Sequence, residues 1–160
     1  MTAEPSEVDE YWMRRAIELS RLCPPSETAF SVGAVIVDAD GNEIASGYSR
    51  ETDPHVHAEE SALAKLAADD ARLGSATIYS TLEPCAQRRS RPQTCTELIL
   101  AASIPRVVFA WREPDLFVND AQGIVALQLS GVQVDQLTHL AGEAKSANVH
   151  LLRNDYEADG

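Results

Sequence analysis

Hydrophobic positions near the start of the chain recur with the spacing of an amphipathic helix. From Tyr11 to Leu22, one side of such a helix would carry most of the apolar residues: Trp12, Met13, Ala16, Ile17 and Leu19. The sequence "CPPSE" then ends the pattern, because proline cannot continue a helix. The pattern therefore predicts a first helix over residues 11–22.

Short runs rich in branched apolar residues predict five strands. The segment "FSVGAVIVDADGNEIASGY" holds two of them around a turn at Asp40-Gly41-Asn42, which is typical of a hairpin. The other three runs are "ATIYSTL", "RVVFAW" and "GVQVDQL". Helical patterns follow the hairpin and each later run, at Ala58 to Ala68, Cys95 to Ala102, Asp120 to Ser130, and from Ala141 onward.

The order of these elements is α-β-β-α-β-α-β-α-β-α. This order predicts an α/β fold, a three-layer α/β/α sandwich with a five-stranded mixed sheet. A chain of 160 residues is the size of one domain. We expect that domain to span residues 10–153, with a flexible N-terminus at 1–9 and a flexible tail at 154–160.

The charge balance argues against nucleic acid as a partner. The chain has 25 acidic and 13 basic residues and a net charge of −12, whereas phosphate backbones are bound by broad basic surfaces. One basic cluster stands apart: "AQRRSRPQT" contains Arg88, Arg89 and Arg91 and no acid. This cluster fits either a solvated loop or the binding site of a single small anion such as phosphate.

The hydrophobicity pattern predicts no membrane segment. No apolar run approaches the roughly 20 residues that cross a bilayer, and "MTAEPSEVDEYW" lacks the apolar core of a secretory signal. We therefore expect a cytoplasmic protein that binds no membrane. Cysteines in that compartment stay reduced and more often bind metal or react than pair with each other.

Candidate metal ligands occur in "HAE", at His57, in "TLEPC", at Cys85, and at Cys95. One imidazole and two thiolates suit Zn²⁺, and each lies near the start of a predicted helix, where backbone N–H groups favour negative charge. Structural zinc sites have four protein ligands, whereas catalytic sites leave one position for water. Three candidates therefore indicate a catalytic zinc site.

Glu59 is the candidate proton carrier at this site. Zinc lowers the pKa of bound water to roughly 7, and Glu59, two residues after His57, could take its proton without binding the metal. Attack on a carbon that carries an amino group, followed by proton transfer to nitrogen, releases ammonia. Taken singly these residues have ordinary explanations, such as helix capping or core packing; their combination favours the zinc site. We expect His55 to be a loop neighbour and Cys23 a buried or free thiol.

The pattern "HAE", "PC" and a further cysteine resembles the cytidine deaminase-like zinc deaminases, whose signature is H-x-E…P-C-x-x-C. The resemblance implies the three-layer fold, zinc bound by His57, Cys85 and Cys95, and Glu59 as proton shuttle. Nine residues separate the two cysteines here instead of two. This longer gap is similar to the riboflavin-biosynthesis deaminases, as are "CPPSETAFSVGAVIVD", "HAEESALAKL" and "RVVFAWREPDLFV", which look most like the fungal deaminase domain.

That resemblance implies a substrate, a diaminopyrimidinone 5′-phosphate with a ribosylamino or ribitylamino arm. The arginine cluster between the cysteines would then bind the phosphate. Further candidate substrate-binding residues flank the predicted ligands or follow a strand: Ala58, Ser80, Leu82, Glu83 and Trp111. The bacterial motif "NPxVGAVIV" has Ala29 at its Asn position here, so the ribosylamino form is less well supported.

Other functions stay open at this point. The alternatives are a cytosine, cytidine, deoxycytidylate or guanine deaminase, and a catalytically silent zinc-binding scaffold. Relatives of this kind commonly form homodimers or tetramers, and we expect the same here.

Overall fold

The computed structural model describes residues 6–85, 93–112 and 122–151. Within these ranges the chain forms five strands and five α-helices in the predicted order. The strands are β1 (Gly33–Val37), β2 (Glu43–Tyr48), β3 (Thr77–Leu82), β4 (Arg106–Trp111) and β5 (Gln133–Gln136). The helices are α1 (Glu7–Ser20), α2 (Ala58–Ala64), α3 (Cys95–Ala101), α4 (Gln122–Leu129) and α5 (Ala141–Lys145).

The five strands form one mixed sheet in the order β2-β1-β3-β4-β5. Strand β1 is antiparallel to both β2 and β3, whereas β3, β4 and β5 run parallel. The parallel part places the carboxyl ends of β3 and β4 side by side, with Leu82 opposite Trp111. In open α/β sheets, this edge is where binding sites form.

Helices cover both faces of the sheet, as predicted, because the inner strands are apolar on both sides. One face packs against α1 and α5 through a cluster that includes Met13, Ile17, Val35, Val108 and Ala144. The other packs against α2, α3 and α4 through a second cluster that includes Ile36, Ala62, Ile78, Ile99 and Leu127. The prediction of a three-layer α/β/α sandwich is confirmed.

Two helix boundaries differ from the sequence prediction by four residues, and the others by no more than two. Helix α1 begins at Glu7 instead of Tyr11, because the hydroxyl of Ser6 accepts a hydrogen bond from the backbone N–H of Asp9 (3.1 Å) and caps the first turn. Helix α2 ends at Ala64 instead of Ala68. Part of the segment expected to be flexible is therefore helical, while the domain bounds 10–153 stay a prediction.

Asp9, inside that segment, is 5% exposed and anchors α1 to the sheet. Its carboxylate accepts hydrogen bonds from the Tyr79 hydroxyl (2.6 Å) and from two guanidinium nitrogens of Arg106 (2.9 and 2.8 Å). Burial alone would raise the pKa of Asp9, but the hydrogen bonds from Arg106 and Tyr79 and the charge of Arg106 together lower it. The ionised form is therefore the form that stabilises the fold.

We expect Asp9→Asn to lower the free energy of unfolding at pH 7 by about 1–3 kcal/mol, because it breaks a charged hydrogen-bond network. The pKa of Asp9 is lowered in the folded state, so its contribution is complete above the ordinary Asp pKa of about 4 and disappears as the pH falls through the lower folded value. Urea unfolding of both proteins should therefore show a difference at pH 7 that shrinks below pH 4.

Glu7→Gln is the matched control for this experiment, since Glu7 is an exposed acid in the same helical turn. Its effect should stay within about 0.5 kcal/mol at either pH. A difference between wild type and Asp9→Asn that grew on acidification would contradict the assigned role of the carboxylate.

No helix in the described ranges is long and apolar enough to cross a membrane.

Candidate active site

Three elements bring the predicted metal ligands to the carboxyl-end edge of the sheet. His57 is the N-cap residue of α2, and Cys95 is the first residue of α3. Cys85 lies three residues beyond β3, on the segment that leaves the sheet at Leu82. His57 and Cys95, which are 38 positions apart in sequence, are thus neighbours in space.

The ligand atoms of the three residues lie close together. The Nδ1 atom of His57 is 3.3 Å from Sγ of Cys95 and 3.6 Å from Sγ of Cys85, and all three atoms lie within 4.8 Å of one another. A tetrahedral zinc ion with bonds of about 2.0 Å to nitrogen and 2.3 Å to sulfur separates such atoms by roughly 3.5 Å. The donor types and their spacing therefore fit zinc with three protein ligands.

The two thiols differ in acidity. The pKa of Cys85 is lowered to about 4, first because Cys95 hydrogen-bonds to it through its side chain, and also through contacts with His57 and the backbone N–H of Cys95. The pKa of Cys95 is raised, first by its hydrogen bond to Cys85 and then by burial and the nearby Glu59. The lowered pKa of Cys85 favours its thiolate, the form that binds metal.

A glycine brings the ligand helix close to the sheet. A Cβ atom on Gly47, in β2, would lie 2.5 Å from the carbonyl oxygen of Ala58 and 2.6 Å from the backbone nitrogen of Ala62. Helix α2 therefore packs against β2 at a distance that only glycine permits. The capping contact at His57, whose N–H donates to Oε1 of Glu60 (3.2 Å), fixes the start of the same helix.

Glu59 lies in the first turn of α2 and is 4% exposed. Its Oε1 atom accepts a hydrogen bond from the Ser80 hydroxyl at 2.6 Å. Burial raises the pKa of Glu59 above its usual value, although hydrogen bonds from Cys95 and Ser80 and the nearby His57 act in the opposite direction. Glu59 also lines the cavity described next, on the same wall as His57.

A cavity of about 600 Å³ opens beside the ligand cluster, large enough for a nucleotide-sized molecule. His57, Glu59 and Cys85 lie in its lining. The segment between α1 and β1 also lines the cavity, through Glu27, Thr28, Ala29 and Phe30. The expected zinc site thus faces an open cavity where a substrate could bind.

The structure separates the candidate substrate-binding residues into three groups. Ala58, Leu82 and Glu83 line the cavity, and His55 joins them from the loop before α2, outside the three-residue ligand cluster. Ser80 and Trp111 are not in the described lining. Arg88, Arg89 and Arg91 lie outside the described residues.

Trp111 instead packs beneath the cavity wall. It is 4% exposed, and its ring meets that of Phe30 edge to face, with centroids 5.0 Å apart. Phe30 is the residue of this pair that reaches the cavity. Trp111 belongs to the buried cluster between the sheet and helices α1 and α5, and its direct contact with substrate stays a prediction.

The cavity wall at residues 24–31 was not identified from the sequence. Arg50, with a left-handed φ of 60°, donates hydrogen bonds to the carbonyls of Pro24 (2.8 Å) and Phe30 (3.2 Å) and to the Ser31 hydroxyl (2.7 Å). Buried Asn148 pairs with the Ser31 backbone through both its amide oxygen (2.6 Å) and its amide nitrogen (3.0 Å). Nothing in the local sequence around Arg50, in "YSRE", or Asn148, in "SANVH", indicates that these side chains hold the cavity wall.

Comparison with known families agrees with this geometry. Residues 6–111 match the family model described as the cytidine and deoxycytidylate deaminase zinc-binding region. The matched segment includes His57, Glu59, Cys85 and Cys95. The chain belongs to this family of zinc-dependent deaminases, which confirms the predicted class of enzyme, its zinc cofactor and its fold.

Several similar proteins are named for riboflavin biosynthesis, among them the RibD protein of Escherichia coli, which is 36% identical over 150 residues, 91% of this chain and 38% of that protein. The diaminohydroxyphosphoribosylamino-pyrimidine deaminase of Schizosaccharomyces pombe is 39% identical over 127 residues, which are 78% of this chain and 31% of that protein. The RibD structure of Acinetobacter baumannii has a TM-score of 0.77 at 30% identity and covers 92% of this chain and 39% of its own. This chain thus spans less than half the length of these relatives.

A third neighbour shares the fold. The Rib2 deaminase of Aspergillus oryzae, solved in complex with DARIPP, has a TM-score of 0.70 at 22% identity and covers 92% of this chain and 97% of its own. The resemblance stated from the sequence, to the riboflavin-pathway deaminases including the fungal type, is therefore confirmed.

Proposed function

We propose that this chain catalyses the hydrolytic deamination of a phosphorylated aminopyrimidine of riboflavin biosynthesis, a 2,5-diaminopyrimidinone 5′-phosphate with a ribitylamino or ribosylamino arm. The observation that carries the proposal is the cluster of His57, Cys85 and Cys95 beside a cavity that His57, Cys85 and Glu59 line. The substrate class is taken from the relatives: one is named as a diaminohydroxyphosphoribosylamino-pyrimidine deaminase, another as a riboflavin biosynthesis protein, and a third was solved with DARIPP.

The chemistry adds water to the carbon that carries the amino group and expels ammonia. Zinc held by His57, Cys85 and Cys95 would supply a water acidic enough to attack at neutral pH. Glu59 takes a proton as the new carbon–oxygen bond forms and delivers it to the nitrogen as the carbon–nitrogen bond breaks. The hydrogen of the added hydroxyl moves to the neighbouring ring nitrogen, so a carbonyl group replaces the amine and the products are a pyrimidinedione and ammonia.

The substrate phosphate calls for a cation, and we assign this role to the cluster of Arg88, Arg89 and Arg91. The cluster falls in sequence between Cys85 and Cys95, and both of these residues belong to the predicted metal site. The overall charge of −12 makes a local cationic segment the more necessary for an anionic substrate.

Changing Arg88, Arg89 and Arg91 together to alanine should raise KM for the phosphorylated substrate at least about tenfold, because charged hydrogen bonds to phosphate are lost. Steady-state kinetics should show a much smaller effect on the same compound without phosphate. The matched control is the triple change of Arg14, Arg15 and Arg21 to alanine, which removes the same charge from the region of α1. Equal changes in KM in the two triple variants would count against phosphate binding by the cluster.

A cytidine or deoxycytidylate deaminase is the second candidate, since the matching family model carries those activities in its description. The direct test measures ammonia release by zinc-loaded protein from the ribosylamino and ribitylamino phosphates, cytidine and deoxycytidylate. Turnover of either diaminopyrimidinone phosphate, with cytidine and deoxycytidylate unreactive, supports the proposal. Preferred turnover of cytidine or deoxycytidylate would overturn it.

The proposal also covers the cellular location, the partners and the oligomeric state of the chain. A small phosphorylated metabolite as substrate is consistent with a cytoplasmic enzyme that has no nucleic-acid or membrane partner. We also propose that the chain assembles as a homodimer or tetramer, which light scattering of the purified protein would test.

A further inference from the structure

Ser80 is a polar residue on a buried and otherwise apolar side of β3. Side chains alternate along a strand, so Ser80 and Ile78 share the face that packs against α2 and α3. Ser80 is 0% exposed. A hydroxyl buried to this extent is costly unless it is hydrogen-bonded, so its partners indicate its role.

Both partners of the Ser80 hydroxyl belong to the active site. Its Oγ atom lies 2.6 Å from Oε1 of Glu59 and 2.8 Å from the carbonyl oxygen of Leu82. The Leu82 carbonyl ends β3, immediately before the segment that leads to Cys85. One hydroxyl thus links the helix that carries the proton carrier to the strand that leads to a metal ligand.

A hydroxyl suits this position because it can both donate and accept. While Glu59 is a carboxylate, Ser80 donates its single hydrogen to Oε1. Once Glu59 has taken a proton from water, the carboxyl can donate to Oγ and the Ser80 hydrogen can turn to the Leu82 carbonyl. The hydrogen bond between Ser80 and Glu59 can therefore persist both before and after Glu59 takes the proton.

We propose that Ser80 is a positioning residue that holds the Glu59 carboxyl in the orientation needed for proton transfer. In this proposal Ser80 acts through Glu59, whereas the sequence prediction assigned it a direct contact with substrate. The inference rests on the proposed function of Glu59 as proton carrier. Proton transfer needs heavy atoms within about 3 Å, so a carboxyl free to rotate in its pocket would spend less time in productive geometry.

Ser80→Ala should lower kcat by roughly 10- to 100-fold, the factor that corresponds to one hydrogen bond to a charged group. KM and the zinc content should stay unchanged, because neither the substrate nor the metal contacts Ser80. Ser80→Thr keeps the hydroxyl and should restore most of kcat. A rise in KM with kcat unchanged would instead indicate direct substrate binding and would overturn the inference.

The matched control is Thr81→Val. Thr81 is the next residue of β3, is 1% exposed, and accepts a hydrogen bond from the Gly33 N–H on the side away from Glu59 (3.2 Å). Its loss should lower the melting temperature and leave kcat unchanged. Equal losses of kcat in Thr81→Val and Ser80→Ala would reduce the role of Ser80 to general stability of the strand.

A double-variant cycle separates this inference from the proposed function. In a Glu59→Gln background, Ser80→Ala should have no further effect on kcat, because there is no proton carrier left to position. If Glu59→Gln alone kept full activity, the proposed role of Glu59 would fail. If Glu59→Gln were inactive while Ser80→Ala matched wild type, only the inference about Ser80 would fail.

A readout independent of activity is the crystal structure of zinc-loaded Ser80→Ala protein. The Glu59 carboxyl should rotate away from its wild-type position while His57, Cys85 and Cys95 stay in place. An unchanged carboxyl, held without the serine, would contradict the inference even if kcat had fallen. If the Ser80→Thr protein does not fold, the crystal structure of Ser80→Ala and the double-variant cycle still test whether Ser80 positions Glu59.

Discussion

Glu59→Gln protein should bind as much zinc as wild type and deaminate its substrate roughly 10²- to 10⁴-fold more slowly, the range typical of a lost general acid–base. The carboxyl is buried beside the ligand cluster, lines the cavity, and is not one of the three clustered ligands. Glutamine has nearly the same shape and can still accept from the Ser80 hydroxyl, so the fold should be preserved. What glutamine cannot do is take a proton from water and pass it to the leaving nitrogen.

The control is Glu97→Gln, an exposed acid in the corresponding first turn of α3. It should leave kcat within about twofold of wild type, since surface substitutions have small effects. Zinc measured by mass spectrometry and ammonia release measured on the same preparations give both quantities. Glu59→Gln protein with full zinc and wild-type kcat would exclude Glu59 as the proton carrier.

Cys85→Ser and Cys95→Ser should each lose zinc almost completely, and activity with it. An alkoxide is a much poorer zinc ligand than a thiolate, and two remaining protein ligands hold the ion weakly. Wild-type protein should contain about one zinc ion per chain, and either variant less than a tenth of that after dialysis against a weak chelator. Both variants should also lose most of their ammonia release.

Cys23→Ser is the matched control, because Cys23 is the third cysteine of the chain and lies outside the ligand cluster. Its thiol donates a hydrogen bond to the Val32 carbonyl (3.5 Å), and burial raises its pKa. This variant should retain zinc and activity. Wild-type zinc content in Cys85→Ser or Cys95→Ser would show that the metal is held elsewhere.

Much of the fold could be predicted from local patterns. Short branched runs such as "RVVFAW" and the helix-stopping "CPPSE" mark elements by residue type alone. The ligand set could be predicted as well, because His57 and Cys95 stand at helix starts and Cys85 closely follows a buried strand. The edge of the sheet that gathers them follows from the parallel pairing of β3 with β4.

Features that depend on long-range packing could not be predicted. Asp9 looks like one more acid of an acidic N-terminus, and only its meeting with Tyr79 and Arg106 makes it a buried anchor. The sequence does not show which face of the sheet the side chains of Ser80 and Trp111 reach. Alternation along a strand shows only that neighbouring side chains point to opposite faces.

The left-handed backbone conformation of Arg50 is another feature that could not be predicted from the sequence. Its four hydrogen bonds join residues 19 to 26 positions apart and form only when the cavity wall is already in place. No local rule assigns a positive φ to an arginine.

The central claim is that this zinc site deaminates a phosphorylated diaminopyrimidinone. The most direct measurement incubates zinc-loaded wild-type and Glu59→Gln proteins with the ribitylamino and ribosylamino 5′-phosphates, and follows ammonia together with the mass of the pyrimidine product. Wild-type protein should release one ammonia for each pyrimidine converted, with the mass increase of about one dalton that replacement of an amine by oxygen requires, and Glu59→Gln should not. Zinc-loaded wild-type protein that left both phosphates unchanged would contradict the claim.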